Sequence, residues 1–276
     1  MTVRALVVAW IAAVGLVVGG MAAMLLLHPA QLHPFRGDDV AVIGSSLLDY
    51  AVPETGAGAA SLLGDGRKHR RIGIDNISEH EEMVLGERAL DDGARVIFLE
   101  IDPMLFNYAQ YAQKRACYSP GLSLRIALKD RQTAITDALR AEFGLRGQYD
   151  GVAEPGNLGF HQMIDYHAAA SDYPLAFHQP CFGAQLAEMV ARARRQGSRI
   201  VLVLPPVSPA GVALMGAGQQ REIAARAQDL ARRLGVPLFS PDGPWSNSEF
   251  IDQGHVNSAG RGHFLSSLRR WWRAQP

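Results

Sequence analysis

The chain has 276 residues, with 27 Lys plus Arg against 27 Asp plus Glu, 48% hydrophobic and 20% charged positions, the balance of a folded globular protein rather than a disordered tail. A formal net charge of +0 lacks the basic excess that a phosphate-binding face needs, which excludes nucleic acid as the main partner. Length alone allows one domain of about 250 residues or two smaller ones, either able to bury a core.

The chain opens with Ala5–Leu27, an uncharged apolar stretch as long as the ~20 residues that cross a bilayer as a helix. A cleavable signal would show an apolar core of about 7–15 residues and then a small-x-small site; here Leu25, Leu26 and Leu27 lead into His28 and Pro29. The reading is an uncleaved signal anchor (5–27) with a cytoplasmic tip (1–4), a linker (28–37) and an extracytoplasmic domain (38–276), a cleaved signal being the alternative. Positive-inside bias puts Arg4 in the cytoplasm and the chain after about Pro34 on the periplasmic side of the inner membrane. Gly15, Gly19 and Gly20 would admit a second membrane helix.

Five short runs follow: Asp38–Gly44, Arg71–Ile74, Arg95–Ile101, Ile200–Leu204 and Val236–Phe239. Rich in Val, Ile and Leu and without polar alternation, they suit strands buried on both faces of a parallel sheet. Helical patterns lie between them, with Gln185–Gln196 closing at Gly197 and Gln219–Leu234 at Gly235, glycines placed as C-caps. The alternation gives an α/β class with a doubly wound sheet. Residues 103–180, with one helix expected at Leu128–Phe143, interrupt the rhythm as an inserted cap.

Cys117 and Cys181 are the only cysteines. An oxidising compartment would let them pair and staple the cap, two unpaired thiols being the alternative. Neither lies in a C-x-x-C, and His161, His167 and His178 lack ligand spacing, so no metal is expected. Gly56-Ala57-Gly58-Ala59-Ala60-Ser61 has no preceding strand and lacks its third glycine, and His80-Glu81-Glu82-Met83 is followed by Val84 instead of a second histidine, so neither motif stands. No cofactor is expected.

In an open α/β sheet the chemistry lies at the carboxyl ends of the strands. The first strand exits into Gly44-Ser45-Ser46-Leu47. A serine at this turn is either a helix N-cap or a nucleophile whose hydroxyl meets the positive end of the helix dipole. After the fifth strand come Asp252 and His255, spaced so that the carboxylate can hold one imidazole nitrogen while the other faces a nucleophile. Near the C-terminus, Leu268-Arg269-Arg270-Trp271-Trp272-Arg273 suits either an interfacial helix or a last helix packing its tryptophans on the sheet.

Gly44-Ser45-Ser46-Leu47 and Asp252-x-x-His255-Val256-Asn257-x-x-Gly260 resemble the first and last conserved blocks of the SGNH (GDSL-type) hydrolase superfamily. The resemblance covers residues 38 to 270 in layout and implies a three-layer, flavodoxin-like parallel sheet of about five strands with an inserted cap, preceded here by one N-terminal transmembrane helix. It also implies Ser46 as nucleophile, His255 as general base and Asp252 as its orienting group. The family's oxyanion donors are not matched, because Ile72-Gly73-Ile74-Asp75-Asn76 and Leu99-Glu100-Ile101-Asp102-Pro103 lack G-x-N-D. Asn76 and Asp102 are the candidates at those positions; an ionised Asp102 would repel an oxyanion, and backbone amides at Ser46 and Asn76 could donate instead.

Serine in place of the usual aspartate, together with a single anchor, is similar to the membrane-tethered acyl-transfer branch, which includes the D-alanyl transfer protein and exopolysaccharide O-acetyltransferases. That resemblance implies an O-acyltransferase acting on a cell-surface polysaccharide or glycopolymer. Its partner would be a membrane-bound O-acyltransferase or an export and synthesis complex. An esterase of glycan or lipid esters and an inactive scaffold subunit are the alternatives.

Overall fold

The apolar runs form the strands expected of them. A computed structural model describes residues 9–10, 12–16, 19, 35–53, 61–74, 77–108, 175–177 and 179–276. Five strands, β1 (Val40–Gly44), β2 (His69–Gly73), β3 (Val96–Glu100), β6 (Arg199–Val203) and β7 (Leu238–Phe239), make one parallel sheet in the order β2-β1-β3-β6-β7. Its register is set by Val40 opposite both His69 and Val96, and by Val96 opposite Arg199. Every residue of β1 and β3 is buried, which explains their uninterrupted apolar sequence. The strand order reverses between β1 and β3, the crevice where such sheets place ligands.

Among the described residues the sheet is flanked by α1 (Ser46–Ala51), α2 (Glu79–Asp91), α3 (Asp102–Leu105), α4 (Gly183–Arg195), α5 (Pro209–Met215), α6 (Ala217–Leu234) and α7 (Ser258–Arg273). Ile43, Leu85, Leu99, Met189, Leu202 and Leu230 represent the core beneath α2, α4 and α6. On the opposite face Leu48, Phe98, Val201, Phe239, Phe264 and Leu268 pack under α1 and α7. Gly235 ends α6 in the left-handed conformation. Phe35 is fully buried and its amide donates to Asp92 Oδ2 at 2.8 Å.

The tryptophans of α7 pack on the sheet: Trp271 lies 5.4 Å from Phe239 and Trp272 lies 6.3 Å from Phe98, between centroids. Arg67 and Arg199 cover the Trp272 ring at 5.6 and 5.3 Å, using the cations in cation–π contacts.

A short antiparallel ribbon that sequence reading missed, β4 (Phe106–Tyr108) with β5 (Leu175–Phe177), ties the two ends of the inserted segment together. Glu79, at the start of α2, is fully buried because its carboxylate accepts the amides of Cys181 and Phe182 at 2.7 and 2.9 Å, anchoring the return into α4. Cys181 is disulfide-bonded; Cys117, the chain's other cysteine, lies outside the described residues. So do the expected helix at Leu128–Phe143, His161, His167, His178 and the Gly56–Ala60 run. His80 packs its ring 5.1 Å from Phe182. Among the described residues no helix is long and apolar enough to cross a membrane. Positions 9–10, 12–16 and 19 of the expected anchor are helical, with Trp10 70% and Leu16 77% exposed, and the rest of Ala5–Leu27 lies outside the described residues.

One ion pair fixes the short helix behind the first turn. Arg71 on β2 reaches Asp49 Oδ1 through Nε at 2.8 Å, both side chains being 4% exposed, and its Nη1 donates to the carbonyls of Asp49 and Val52. Removing one partner of a buried pair strands the other's charge, so Arg71→Ala is expected to cost about 3–5 kcal/mol. Urea denaturation checks this; a loss below about 1 kcal/mol contradicts it.

Candidate active site

The two serines at the end of β1 have separate partners. Ser45 is the N-cap of α1, its Oγ accepting the Leu47 amide at 3.1 Å. Ser46, the first helical residue, turns its Oγ to His255 Nε2 at 2.9 Å. The helix cap thus falls to Ser45 and the contact with His255 to Ser46, two roles that compete as readings of one serine.

The last strand leads back to this point through a tight loop. Phe250 bridges Val256, and the Ile251 amide donates to the His255 carbonyl at 2.7 Å. Asp252 sits inside, Oδ1 accepting the amides of Gly254 and His255 at 2.9 and 2.8 Å while Oδ2 meets His255 Nδ1 at 2.7 Å. Burial pushes the Asp252 carboxyl up, but the His255 ring and the two amides outweigh it and hold it below the usual range. A carboxylate at Nδ1 places the ring proton there and leaves Nε2 as the acceptor for the Ser46 hydroxyl. Asn257 then caps α7, its Oδ1 accepting the Gly260 amide at 3.1 Å and its Nδ2 donating to the Ser248 carbonyl at 2.7 Å. A Cβ at Gly260 would stand 2.1 Å from the Glu249 carbonyl oxygen, which requires glycine here.

Ser46, His255 and Asp252 therefore converge as a hydrogen-bonded chain at the switch point of the sheet, with His255 28% and Asp252 15% exposed at the side chain. Such a chain can move the serine proton to the imidazole as the oxygen attacks a carbonyl carbon. Tyr50 was not anticipated. Four residues after Ser46, it lies on the same face of α1, and its ring packs 4.8 Å from the imidazole.

Asp102, one of the two oxyanion candidates, is among the described residues. It begins α3, its Oδ1 is buried without a hydrogen-bond partner, and burial together with the neighbouring Glu100 carboxylate pushes its carboxyl well above the usual range. That direction disfavours the ionised form, whose charge would repel an oxyanion. Asn76, the other oxyanion candidate, lies outside the described residues. Among the described residues no cluster of three or more His, Cys, Asp or Glu could hold a metal ion. A cavity of about 400 Å³ opens beyond β6 and β7, lined by Pro205, Pro206, Pro241 and Trp245 among others. It adjoins the Asp252 loop through the Ser208 amide, which donates to the Gln253 carbonyl at 2.8 Å.

No protein-family model and no curated protein matches the chain. Among solved structures it is similar to an acetyl xylan esterase at 11% identity, covering 86% of this chain and 100% of that one, with a TM-score of 0.42. It is also similar to a catalytic mutant of an acetylxylan esterase from Geobacillus stearothermophilus, at 11% identity, 85% and 94% coverage and a TM-score of 0.43. A third is an alpha/beta hydrolase enzyme from the metagenome of Lake Arreo, Spain, at 13% identity, 84% and 95% coverage and a TM-score of 0.39.

Because Asp252 is held below its ordinary carboxyl range, its ionised form contributes stability that is full above about pH 4 and is lost as pH falls through the lowered folded value. The stability difference between the wild type and Asp252→Asn should be constant from neutral pH down to about 4 and shrink below it. Chemical denaturation across that range reads it; a difference that grows on acidification contradicts the assignment.

Proposed function

We propose that this chain is a serine-dependent acyl-ester enzyme that carries an acyl group on Ser46 and passes it to a hydroxyl of a cell-surface glycan, held at the membrane by the Ala5–Leu27 segment. The observation that carries the chemical part is the unbroken chain from Ser46 Oγ through His255 to Asp252, at 2.9 and 2.7 Å. Transfer to a glycan and membrane tethering rest on the Gly44-Ser45-Ser46 form and the apolar N-terminal sequence.

In the reaction, His255 Nε2 removes the Ser46 proton as Oγ bonds to the ester carbonyl carbon. The carbon–oxygen bond to the donor alcohol then breaks, and His255 returns the proton to that alcohol. The acyl-serine is next attacked by an acceptor hydroxyl, whose proton His255 takes, and collapse regenerates Ser46. Asp252 keeps the imidazole oriented and stabilises its charged form. Among the described residues the Ser46 amide, at the positive end of α1, is a donor suited to the oxyanion, with the Asn76 amide the other one proposed. Water as acceptor would make the same centre an esterase.

Nucleophile and base act as a unit, so losing either costs about as much as losing both. Ser46→Ala and His255→Ala should each abolish release from an activated acetyl ester. With the wild type, adding an oligosaccharide acceptor should divert acetyl from water to sugar, read as acetylated sugar by mass spectrometry. Acetate as the sole product with every acceptor tried would favour the esterase, and equal turnover by Ser46→Ala would leave the chain a scaffold.

A further inference from the structure

Beneath the Ser45–Ser46 turn lies a carboxylate that the reaction above does not use. Glu100 ends β3, is 1% exposed, and accepts the Ser45 amide through Oε2 at 2.8 Å and the Ser45 hydroxyl through Oε1 at 2.7 Å. The contact is close: a Cβ on Gly44 would stand 2.5 Å from Glu100 Oε2, so the glycine before the serines exists to admit this carboxyl.

Its other neighbours are also acidic. Glu82 on α2 is fully buried, both oxygens lacking hydrogen-bond partners, and Asp102 on α3 has a buried, unpartnered Oδ1. Burial, then the charges of Glu100, Asp102, Glu79 and Glu81, pushes Glu82 well above the usual range. For Glu100 burial is opposed by the Ser45 hydroxyl and amide, by His255 and by the Leu48 amide, which leaves it pushed up to about 7. The mutual repulsion of Glu82, Glu100 and Asp102 disfavours ionising more than one of them, and Glu100 is the one with hydrogen-bond donors around it.

We propose that Glu100 is a positioning residue for the Ser46 nucleophile, clamping both the amide and the hydroxyl of Ser45 from beneath the turn. This rests on Ser46 being the nucleophile. Ser45 and Ser46 are consecutive, so holding the amide and hydroxyl of the first fixes where the oxygen of the second stands relative to His255. Charge-assisted bonds are shorter and roughly twice as strong as neutral ones, so protonating Glu100 loosens the turn. Of the groups facing it, the Ser45 and Leu48 amides and the Ser45 hydroxyl belong to the α1 turn, Asp102 to α3, Glu82 to α2 and His255 to the last loop.

The test is the second-order rate at which a fluorophosphonate labels Ser46, followed from pH 5.5 to 9 in the full chain. Glu100→Gln keeps the shape but has only one acceptor oxygen. It should label about 10–100-fold more slowly at pH 8, the scale set by small misplacement of a reacting group, with an unfolding midpoint no lower than the wild type. Its rate should rise with one ionisation where the wild type rises with two. Ser45→Ala, which removes the hydroxyl arm alone, should slow labelling less, and the double variant should be no slower than Glu100→Gln, since both act through one clamp. If Glu100→Gln does not fold, the Ser45→Ala rate and slope decide the matter by themselves. A folded Glu100→Gln within twofold of the wild type, with the same slope, overturns the clamp and leaves the Ser46 reading standing. A wild type that is not labelled at Ser46 overturns both.

Discussion

The turn at Ser45–Ser46 serves two contacts at once, because Ser45 is the extended N-cap of α1 and Ser46 its first helical residue. Ser45 faces into the sheet, where its hydroxyl and amide meet Glu100, and Ser46 faces out to His255. The rest of the site is arranged around this turn. Gly44 clears space for Glu100, Tyr50 one turn later supports the imidazole, and Arg71 ties the end of the same short helix to β2.

The partner side is built from the far edge of the sheet. β7 is its last strand, yet the loop that follows brings His255 back to β1 because α7 packs on the same face as α1, with Phe264 and Leu268 against Leu48 and Val42 in one apolar cluster. Burial of that face sets the position of the loop, and hydrogen bonds inside the loop set the angle of the ring. Asp252 accepts two backbone amides as well as the imidazole, so the orienting carboxylate is itself immobilised. The buried acids on the opposite side carry a desolvation cost that core leucines would not, consistent with the strain that sites place on an otherwise regular fold.

Much of this was legible from residue order. Strands buried on both faces leave continuous apolar runs, so all five were found within a few residues of their observed ends. The last motif reads in physical terms: Asn257 as cap and Gly260 as a close approach account for its Asn-x-x-Gly spacing. What escaped notice depends on contacts between distant elements. Glu100 ends an apolar strand and reads as its exit; only parallel pairing of β3 with β1 puts it under Ser45. The raised pKa of Asp102 comes from burial and from Glu100, surroundings that a letter does not show. The β4–β5 ribbon is three residues on each side, too short for any alternation to show.

The central claim is that Ser46 carries the acyl group, and it is tested most directly by trapping that intermediate. The protein is mixed with an activated acetyl ester, quenched in acid within the first turnover, digested and analysed by mass spectrometry. The account predicts one acetyl group on the peptide containing Ser46, abundant in the wild type and absent in Ser46→Ala. An adduct on another residue, or turnover with no adduct on that peptide and no effect of Ser46→Ala, would contradict it.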